Sequence, residues 1–357
     1  MRLALSLGSW SAGHGQQDLR LAIEADRLGC SAVWVAEAYG SDAVTVLAWL
    51  AARTERIALG AGVLQVPARS PAMTAMTAST LDLLSGGRFR LGLGVSGPQV
   101  SEGWHGVPFA APMSRLREYT DAVRLALSRR PLDYQGRHVQ VPPPGSTARA
   151  IRLSQRPVRP TIPLYLAALG PRALELCGEI ADGWLAVFTD TGTVRESMSR
   201  IAEGRRARPA DASDEPRPEF DAVVTCSLVV TDVPGAELDL DTARDLARPY
   251  AALYVGGMGG PQDNVYAALA ARLGYETEAR TVQRLYLSGD RQAAAAALPG
   301  EFLDGVSLIG TAEQIAARLA EYSAAGATTV AVMPFAPDPE QRAGMLDATL
   351  RALGSAA

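Results

Sequence analysis

The side chains of this sequence that could carry acid–base chemistry are few. The chain has three histidines, of which His14 and His105 fall in predicted loops and could titrate near neutral pH. Glu37 follows the apolar segment AVWVA, so a predicted strand delivers its carboxylate to the strand's carboxyl end. This carboxylate could act as a base, bind the edge of a ligand, or pair with one of the many arginines. By elimination, Glu37 and His14 are the candidate catalytic residues.

The residues that are missing exclude several kinds of catalysis. All 34 basic residues are arginine, which removes Schiff-base chemistry and a lysine general base. Cys30, Cys177 and Cys226 are solitary, as reduced core thiols are, and no His/Cys cluster, HExxH or DxD pattern indicates a metal site. No Ser-His-Asp or Cys-His set can be assembled from the spacing. The scarcity of acid–base and metal-binding side chains around glycine-rich segments favours a bound organic cofactor that performs the chemistry.

Two glycine-containing segments could hold such a ligand. GLGVSG at residues 92–97 has the spacing of a dinucleotide fingerprint, but Pro98 and a loop follow it where the fingerprint needs a helix. We expect this segment to present bare backbone to a flat ligand, the alternative being a strand whose glycines allow close packing. Gly170, Pro171 and Arg172 open a predicted helix, and its free N–H groups form either a phosphate site or a plain turn.

The elements that must position these residues alternate between strand and helix. Eight strands are predicted, at residues 3–7, 32–36, 57–63, 88–94, 163–167, 183–188, 222–231 and 328–333. One of the helices between them starts after Ser70 and has four residues on one apolar face, namely Met73, Met76, Leu83 and Leu84. The alternation predicts an α/β fold, a (β/α)8 TIM-like barrel, with a doubly wound open sheet as the alternative.

Residues 1–357 are predicted to form one domain that contains two insertions. Residues 131–162, with a hairpin around Gln135 and Gly136, follow strand four, and the helical residues 240–298 follow strand seven. In a barrel of this kind the site collects at the carboxyl ends of the strands. The residues predicted to lie there are His14, Glu37, Gly62, Val63, Val95, Ser96, Gly97, Ala168, Leu169, Gly170, Pro171, Arg172, Asp182 and Gly183.

Composition limits the partners of the protein. The net charge is -4 and no long run of either sign occurs, which argues against a nucleic acid or an anionic membrane as a partner. No apolar segment is long enough to span a bilayer, and the chain starts directly with a predicted strand instead of a signal peptide. We therefore expect a soluble, cytoplasmic protein that acts on a small molecule.

Long segments of the chain resemble the bacterial luciferase-like superfamily, and within it the F420-dependent oxidoreductases. The resemblance covers nearly the whole chain. It includes AVWVAEAYGSDAVTVLAWLAARTERIALGAGVLQ, SPAMTAMTASTLDLLSGGRFRLGLGVSGPQVSEGWHGVPF, YLAALGP, GEIADGW, ALYVGGMG and VSLIGTAEQI. It implies a TIM-like barrel of the bacterial luciferase type, often dimeric, that binds the deazaflavin cofactor F420 in its mouth.

The resemblance also implies roles for individual residues. Gly62 and Val63 match a bulge after strand three that lies against the cofactor ring, frequently with a non-proline cis peptide. The positions that match the remaining contacts are residues 95–97 at the ring or its side chain, Gly170 and Pro171 near the phosphate, and Glu37 at an acidic position. Two departures stand out. Ala38 occupies a position that is histidine in several relatives. The segment GPQD at 260–263 stands where many relatives have basic residues, so phosphate binding would fall to arginines such as Arg172.

Three functions are compatible with these observations. The first is hydride transfer between reduced F420 and a C=C or C=N bond of a small organic or natural-product substrate, including a modified peptide, by a homodimeric enzyme. The second is an FMN-dependent monooxygenase of the same superfamily. The third is a non-catalytic accessory protein that binds the cofactor.

Overall fold

The structure is a computed structural model that describes residues 1–8, 15–156, 158–207, 219–260, 262 and 264–355. Within these residues, eight parallel strands follow one another around a closed barrel. They are β1 Arg2–Leu7, β2 Ala32–Val35, β3 Ala58–Ala61, β4 Phe89–Gly94, β5 Leu164–Ala167, β6 Gly183–Val187, β7 Asp221–Val230 and β8 Thr329–Pro334. The ring closes where β8 pairs with β1, with Arg2 opposite Thr329. The predicted barrel is confirmed, and the alternative open sheet is wrong because neither of these two strands is left at an edge.

One helix follows each strand and covers the outside of the barrel. The helices are α1 Gly15–Leu28, α2 Ala43–Ala51, α3 Pro71–Leu84, α4 Pro112–Leu127, α5 Pro171–Ile180, α6 Thr191–Ala207, α7 Ala312–Ala324 and α8 Gln341–Ser355. Their ends follow the capping rules that the sequence suggested. Ser70 Oγ accepts a hydrogen bond from Met73 N at 3.1 Å, and Thr311 and Gln314 form both hydrogen bonds of a capping box.

Aromatic side chains fill the interior of the barrel below its mouth. Trp34 and Tyr165 meet edge to face at 4.9 Å between ring centroids and pack among small residues of neighbouring strands. Gly60 and Gly183 give these rings their space, since a Cβ at either position would overlap Trp34 or Tyr165. At the amino ends of the strands, the barrel interior ends at the buried carboxylate of Asp221, which accepts hydrogen bonds from side chains of several strands.

The apolar face predicted for α3 lies on the outside of the molecule. Met73, Met76, Leu83 and Leu84 are each between 52% and 55% exposed. The face of α3 that packs against the barrel consists mainly of small side chains, such as Ala75 and Ala78. The four large residues therefore form an unshielded apolar strip, which we call the α3 face.

Both insertions are present, and the second is longer than predicted. In the first, Tyr134–Gln135 and Gln140–Val141 pair as the predicted hairpin. The second continues as helices to Val306 and ends in a short strand, Leu308–Gly310, which pairs with β7 and was not predicted. The helices of the second insertion pack through their own apolar cluster onto Phe188, the residue after β6. No helix among the described residues is long and apolar enough to cross a membrane.

Candidate active site

The carboxyl ends of β3 and β4 form a smooth wall of backbone at the barrel mouth. The Gly62–Val63 peptide bond is cis, and the chain then continues as Leu64–Gln65, which pairs with β4. Val63 rests on Gly94, where a Cβ would come within 2.6 Å of its side chain. The non-proline cis peptide that the resemblance implied is therefore present at the expected position.

The loop after β4 continues this wall. Ser96 has a φ of 61°, in the left-handed region that side chains other than glycine rarely occupy. Val95, Ser96 and Gly97 are all partly exposed. From β5, Ala168 is buried and its carbonyl oxygen accepts a hydrogen bond from Trp184 Nε1 at 2.8 Å, so Ala168 contributes to the frame of the mouth.

Glu37 lies at the end of β2, but its carboxylate is held by an arginine. Arg69 donates to both of its oxygens, at 2.6 and 2.8 Å, and the backbone N–H of Gln65 donates to it at 3.2 Å. Its side chain is 8% exposed. The ion pair considered from the sequence is thus the one observed, and Glu37 holds the segment after Val63 in place.

The same segment connects to a histidine of the loop after β4. Gln65 is buried, and its Oε1 lies 2.8 Å from His105 Nε2. This contact fixes the orientation of the imidazole beside the cis peptide segment, and it suits a ring that carries its proton on Nε2. Among the described residues, His105 is therefore the histidine next to the backbone wall of β3 and β4. His14 is not one of the residues that the structure describes.

The start of α5 has the features of an anion site. Gly170 is its N-cap without a side-chain hydrogen bond, and a Cβ there would meet no atom within 4 Å. Pro171 and Arg172 are exposed in the first turn. The free N–H groups of this turn, the positive end of the helix dipole and the Arg172 guanidinium would favour a phosphate.

Gly183 and Asp182 are at the opposite end of the barrel from the backbone wall that β3 and β4 form. Gly183 begins β6 and packs against the ring of Tyr165, while Asp182 accepts from Leu164 N at 3.0 Å. The prediction that they lie at the mouth is wrong, because residues between a helix and the next strand belong to the amino ends of the strands. Phe188 is the residue that follows β6 at the mouth.

An aromatic cluster that the sequence analysis missed lies around Phe188. Tyr250, Tyr254 and Tyr266 come from the second insertion, and their ring centroids lie 5.5, 4.8 and 6.3 Å from that of Phe188. Phe335, directly after β8, lies 5.5 Å from Tyr250. We call these five residues the aromatic wall. The spacing of Tyr250 and Tyr254, one helical turn apart, was the signal available in the sequence.

The residues at the mouth suit a flat organic cofactor. One side of the mouth consists of backbone with small side chains at the ends of β3 and β4. The other side consists of aromatic rings after β6 and β8. Among the described residues, no group of three or more histidine, cysteine, aspartate or glutamate side chains could hold a metal ion. A planar ring system fits between such surfaces without requiring a charged partner.

A model of the luciferase-like monooxygenase family matches residues 7–329 of the chain. The chain belongs to the luciferase-like monooxygenase family. Several relatives within it are named for F420 chemistry. A protein of Mycobacterium tuberculosis, named provisionally as a coenzyme F420-dependent oxidoreductase, is 39% identical over 93% of this chain and 94% of that protein. The 5,10-methylenetetrahydromethanopterin reductase of Archaeoglobus fulgidus is 28% identical over 89% of each chain.

Solved structures of the family share the barrel. The coenzyme F420-dependent tetrahydromethanopterin reductase of Methanopyrus kandleri matches with a TM-score of 0.79 over 97% of both chains, at 24% identity. An F420-dependent secondary alcohol dehydrogenase in complex with an F420–acetone adduct matches with a TM-score of 0.77, at 18% identity, over 99% of this chain and 98% of that chain. At these identities the likeness concerns the fold alone.

Proposed function

We propose that this protein is an F420-dependent oxidoreductase that reduces a C=C or C=N bond of a small organic or natural-product substrate. The observation that carries the proposal is the surface at the ends of β3 and β4, where Val63 packs on Gly94 at the position implied for the cofactor ring. The full-length similarity to proteins named for F420 supports it. When bound, the reduced cofactor supplies a hydride.

The residues of this chain would bind and orient the cofactor. Val63 and Gly62 would support one face of its ring, and Val95, Ser96 and Gly97 would border it. Its phosphate would lie at the start of α5, on the free N–H groups after Gly170 and on Arg172. These two contact regions would fix the reacting carbon relative to the substrate, which is the main contribution that such an enzyme makes.

Glu37 acts in this scheme as a positioning residue. Its ion pair with Arg69 and its hydrogen bond to Gln65 N hold the segment that follows the cis peptide. Gln65 in turn contacts His105 Nε2 at 2.8 Å. The imidazole is thereby held at the rim with its Nε2–H directed at Gln65, which leaves Nδ1 as a hydrogen-bond acceptor. We propose His105, in place of Glu37, as the acid–base side chain nearest the cofactor ring.

We also propose that the enzyme is a homodimer of the cytoplasm. The α3 face places four large apolar side chains on one helix, and Trp49 on α2, a helix that packs beside α3, is 36% exposed. A helical strip of this kind is self-complementary, as a two-fold interface requires. Cys30, Cys177 and Cys226 are buried free thiols, which supports a reducing compartment.

The first experiment is a binding titration by isothermal calorimetry with three ligands. They are F420, its deazaflavin fragment that lacks the phosphate-containing tail, and FMN. We expect F420 to bind more tightly than the other two. A preference for FMN would favour the monooxygenase alternative, and absence of binding by all three would contradict the cofactor assignment. Turnover with a supplied acceptor would then separate an enzyme from an accessory protein.

A variant tests the phosphate contact in the same experiment. Arg172→Ala should weaken F420 binding about tenfold, because a charge-assisted hydrogen bond to phosphate is lost. Binding of the tail-less fragment should not change. Arg27→Ala, at an exposed arginine of α1, is the matched control. Equal weakening of F420 and the fragment by Arg172→Ala would show that this residue does not bind the phosphate.

A further inference from the structure

We propose that the aromatic wall is the substrate-binding surface, and that Tyr254 Oη donates a hydrogen bond to the substrate. The substrate class that this surface fits is a planar, conjugated molecule with one hydrogen-bond acceptor, such as a carbonyl oxygen. The inference deepens the proposed function and rests on it, because the wall is assigned a substrate only if the cofactor occupies the other side of the mouth.

The aromatic wall lies across the mouth from the ends of β3 and β4. Its residues follow β6 and β8 or come from the insertion after β7. In the eight-stranded ring, β7 lies four strands away from β3, which is the opposite side of the mouth. A ring lying on Gly62 and Val63 therefore faces the aromatic wall across the barrel axis, and a substrate between them contacts both.

The aromatic wall consists almost entirely of π surface. Its rings stand at short distances from one another, with Tyr254 and Tyr266 edge to face at 4.9 Å and an interplanar angle of 81°. Such a surface offers flat faces and ring edges, which attract other π systems more than saturated ones. Among the wall residues, only three phenol groups are polar. The aromatic wall therefore favours a flat molecule, and a phenol hydroxyl is the polar contact that it offers to this molecule.

Two phenol hydroxyls of the aromatic wall form a pair. Tyr250 Oη donates to Tyr254 Oη at 3.2 Å, and among the described residues no group accepts a hydrogen bond from Tyr254 Oη. Burial raises the pKa of both phenols, and for Tyr254 it outweighs the opposing effect of the hydrogen bond from Tyr250. Both groups therefore stay neutral at physiological pH, and the Tyr254 proton is free for an acceptor on the substrate.

The local backbone holds Tyr254 in this place. Tyr254 lies in a single π-helical turn, Leu253–Gly257, a conformation that is frequent at functional sites. Asn264 is buried and its Nδ2 donates to the carbonyl oxygens of Tyr254 and Val255, at 3.0 and 2.9 Å. Its Oδ1 accepts from Tyr266 N at 2.9 Å. One side chain thus positions two tyrosines of the wall.

Phe188, the residue onto which the tyrosines pack, has a φ of 55°. A bulky residue in the left-handed region is strained, and surrounding contacts must offset that strain. Backbone of this kind is concentrated at binding sites and clamps. The strained position turns Phe188 toward the rings of the insertion, at 4.8 Å from Tyr254.

The test measures binding of three probes to protein loaded with oxidised F420, which cannot reduce them. Benzylideneacetone is planar and conjugated and carries a carbonyl; 1-phenyl-1-butene is planar without the carbonyl; 4-cyclohexylbutan-2-one has the carbonyl without the π system. We expect the wild type to bind benzylideneacetone three- to tenfold more tightly than either of the others, the range of one neutral hydrogen bond for the hydrocarbon and of one aromatic contact for the saturated ketone. Tyr254→Phe should abolish its advantage over 1-phenyl-1-butene and leave binding of that hydrocarbon unchanged.

The controls separate this proposal from folding and from the cofactor assignment. Tyr275→Phe removes a phenol that packs on Phe302 in the same insertion, away from the wall, and should change none of the affinities. If Tyr254→Phe weakens the enone and the hydrocarbon equally, or if the wild type does not discriminate among the probes, the proposal is overturned. Failure of the wild type to bind F420 would count against the proposed function, while the same probes titrated into the cofactor-free protein still report on the wall.

Discussion

Arg69 binds Glu37 through both guanidinium nitrogens, at 2.6 and 2.8 Å, and also reaches Asp42 at 2.7 Å. The Arg69 and Glu37 side chains are 15% and 8% exposed, so the pair is largely shielded from water. Hydrogen bonding to Glu37 raises the pKa of Arg69. One bidentate contact thereby joins the end of β2 to the segment after the cis peptide of β3.

Glu37→Gln should destabilise the protein by about 3 kcal/mol, because it leaves the buried Arg69 cation without its main partner. Urea unfolding followed by circular dichroism measures this difference. Glu24→Gln removes the carboxylate of an exposed pair with Arg27 and should change stability by less than about 1 kcal/mol. Similar losses for the two variants would mean that the Glu37 pair is no more than a surface contact.

Asp221 should make stability depend on pH. Its carboxylate is buried, which alone would raise its pKa. Hydrogen bonds from Thr328 and Thr329 and the charges of Arg2 and Arg90 outweigh this, so the pKa of Asp221 is lowered. A lowered folded-state pKa stabilises the protein above the ordinary value of about 4, and this stabilisation is lost as the pH falls through the folded-state pKa.

Asp221→Asn should therefore be less stable than the wild type at pH 7 by about 2–3 kcal/mol, and the gap should narrow below about pH 4. Urea unfolding at several pH values measures it. Asp245→Asn, whose side chain is 70% exposed, is the control and should leave the pH profile unchanged. A gap that stays constant down to pH 2 would contradict the assigned role of the charge.

Gly60 should not tolerate a side chain. A Cβ at this position would overlap the Trp34 ring, which is held among the strands of the barrel interior. Gly60→Ala is expected to cost about 3 kcal/mol or more, at the upper end of overpacking. Gly305→Ala, where a Cβ meets no atom within 4 Å in a helix, should be neutral or slightly stabilising. A thermal melt of both variants compares them directly, and equal melting temperatures would contradict the packing argument.

The α3 face should control assembly. Met76→Glu combined with Leu83→Arg is expected to convert a dimer into monomers, as measured by light scattering after size-exclusion chromatography. Ile151→Arg, at a residue that is 81% exposed in the first insertion, is the matched control and should leave the mass unchanged. A wild-type protein that is monomeric at all concentrations would contradict the homodimer.

The barrel was predictable because its signals are local. Each strand is a short apolar run, and the helices carry caps such as Ser70 and the Thr311 capping box. The short strand Leu308–Gly310 was not predictable, since its pairing with β7 depends on a partner about 80 residues away. The outward direction of Met73 and Met76 was not predictable either, because an apolar helical face gives the same sequence pattern whether it packs on the core or on another chain.

The candidate site was predictable on one side of the mouth only. Gly62 and Val63 were found because glycines and a strand end mark the position in the sequence. Gly183 was predicted at the wrong end of the barrel, because it begins β6 and does not follow it. Tyr254 was missed because Phe188, its neighbour in space, is far away in the chain, and only the folded barrel brings the two together.

The pairing of Arg2 with Thr329 has a consequence for how the protein is made. The ribosome adds roughly 5–20 residues per second, so β1 waits on the order of 16–65 seconds for the strand that completes the ring. During that time β1 exposes unpaired backbone N–H and C=O groups, and β7 does so once it has been made. Such edges invite pairing with other chains. We expect a chain that stops before Thr329 to accumulate as aggregates during translation, which sedimentation of ribosome-released products would detect.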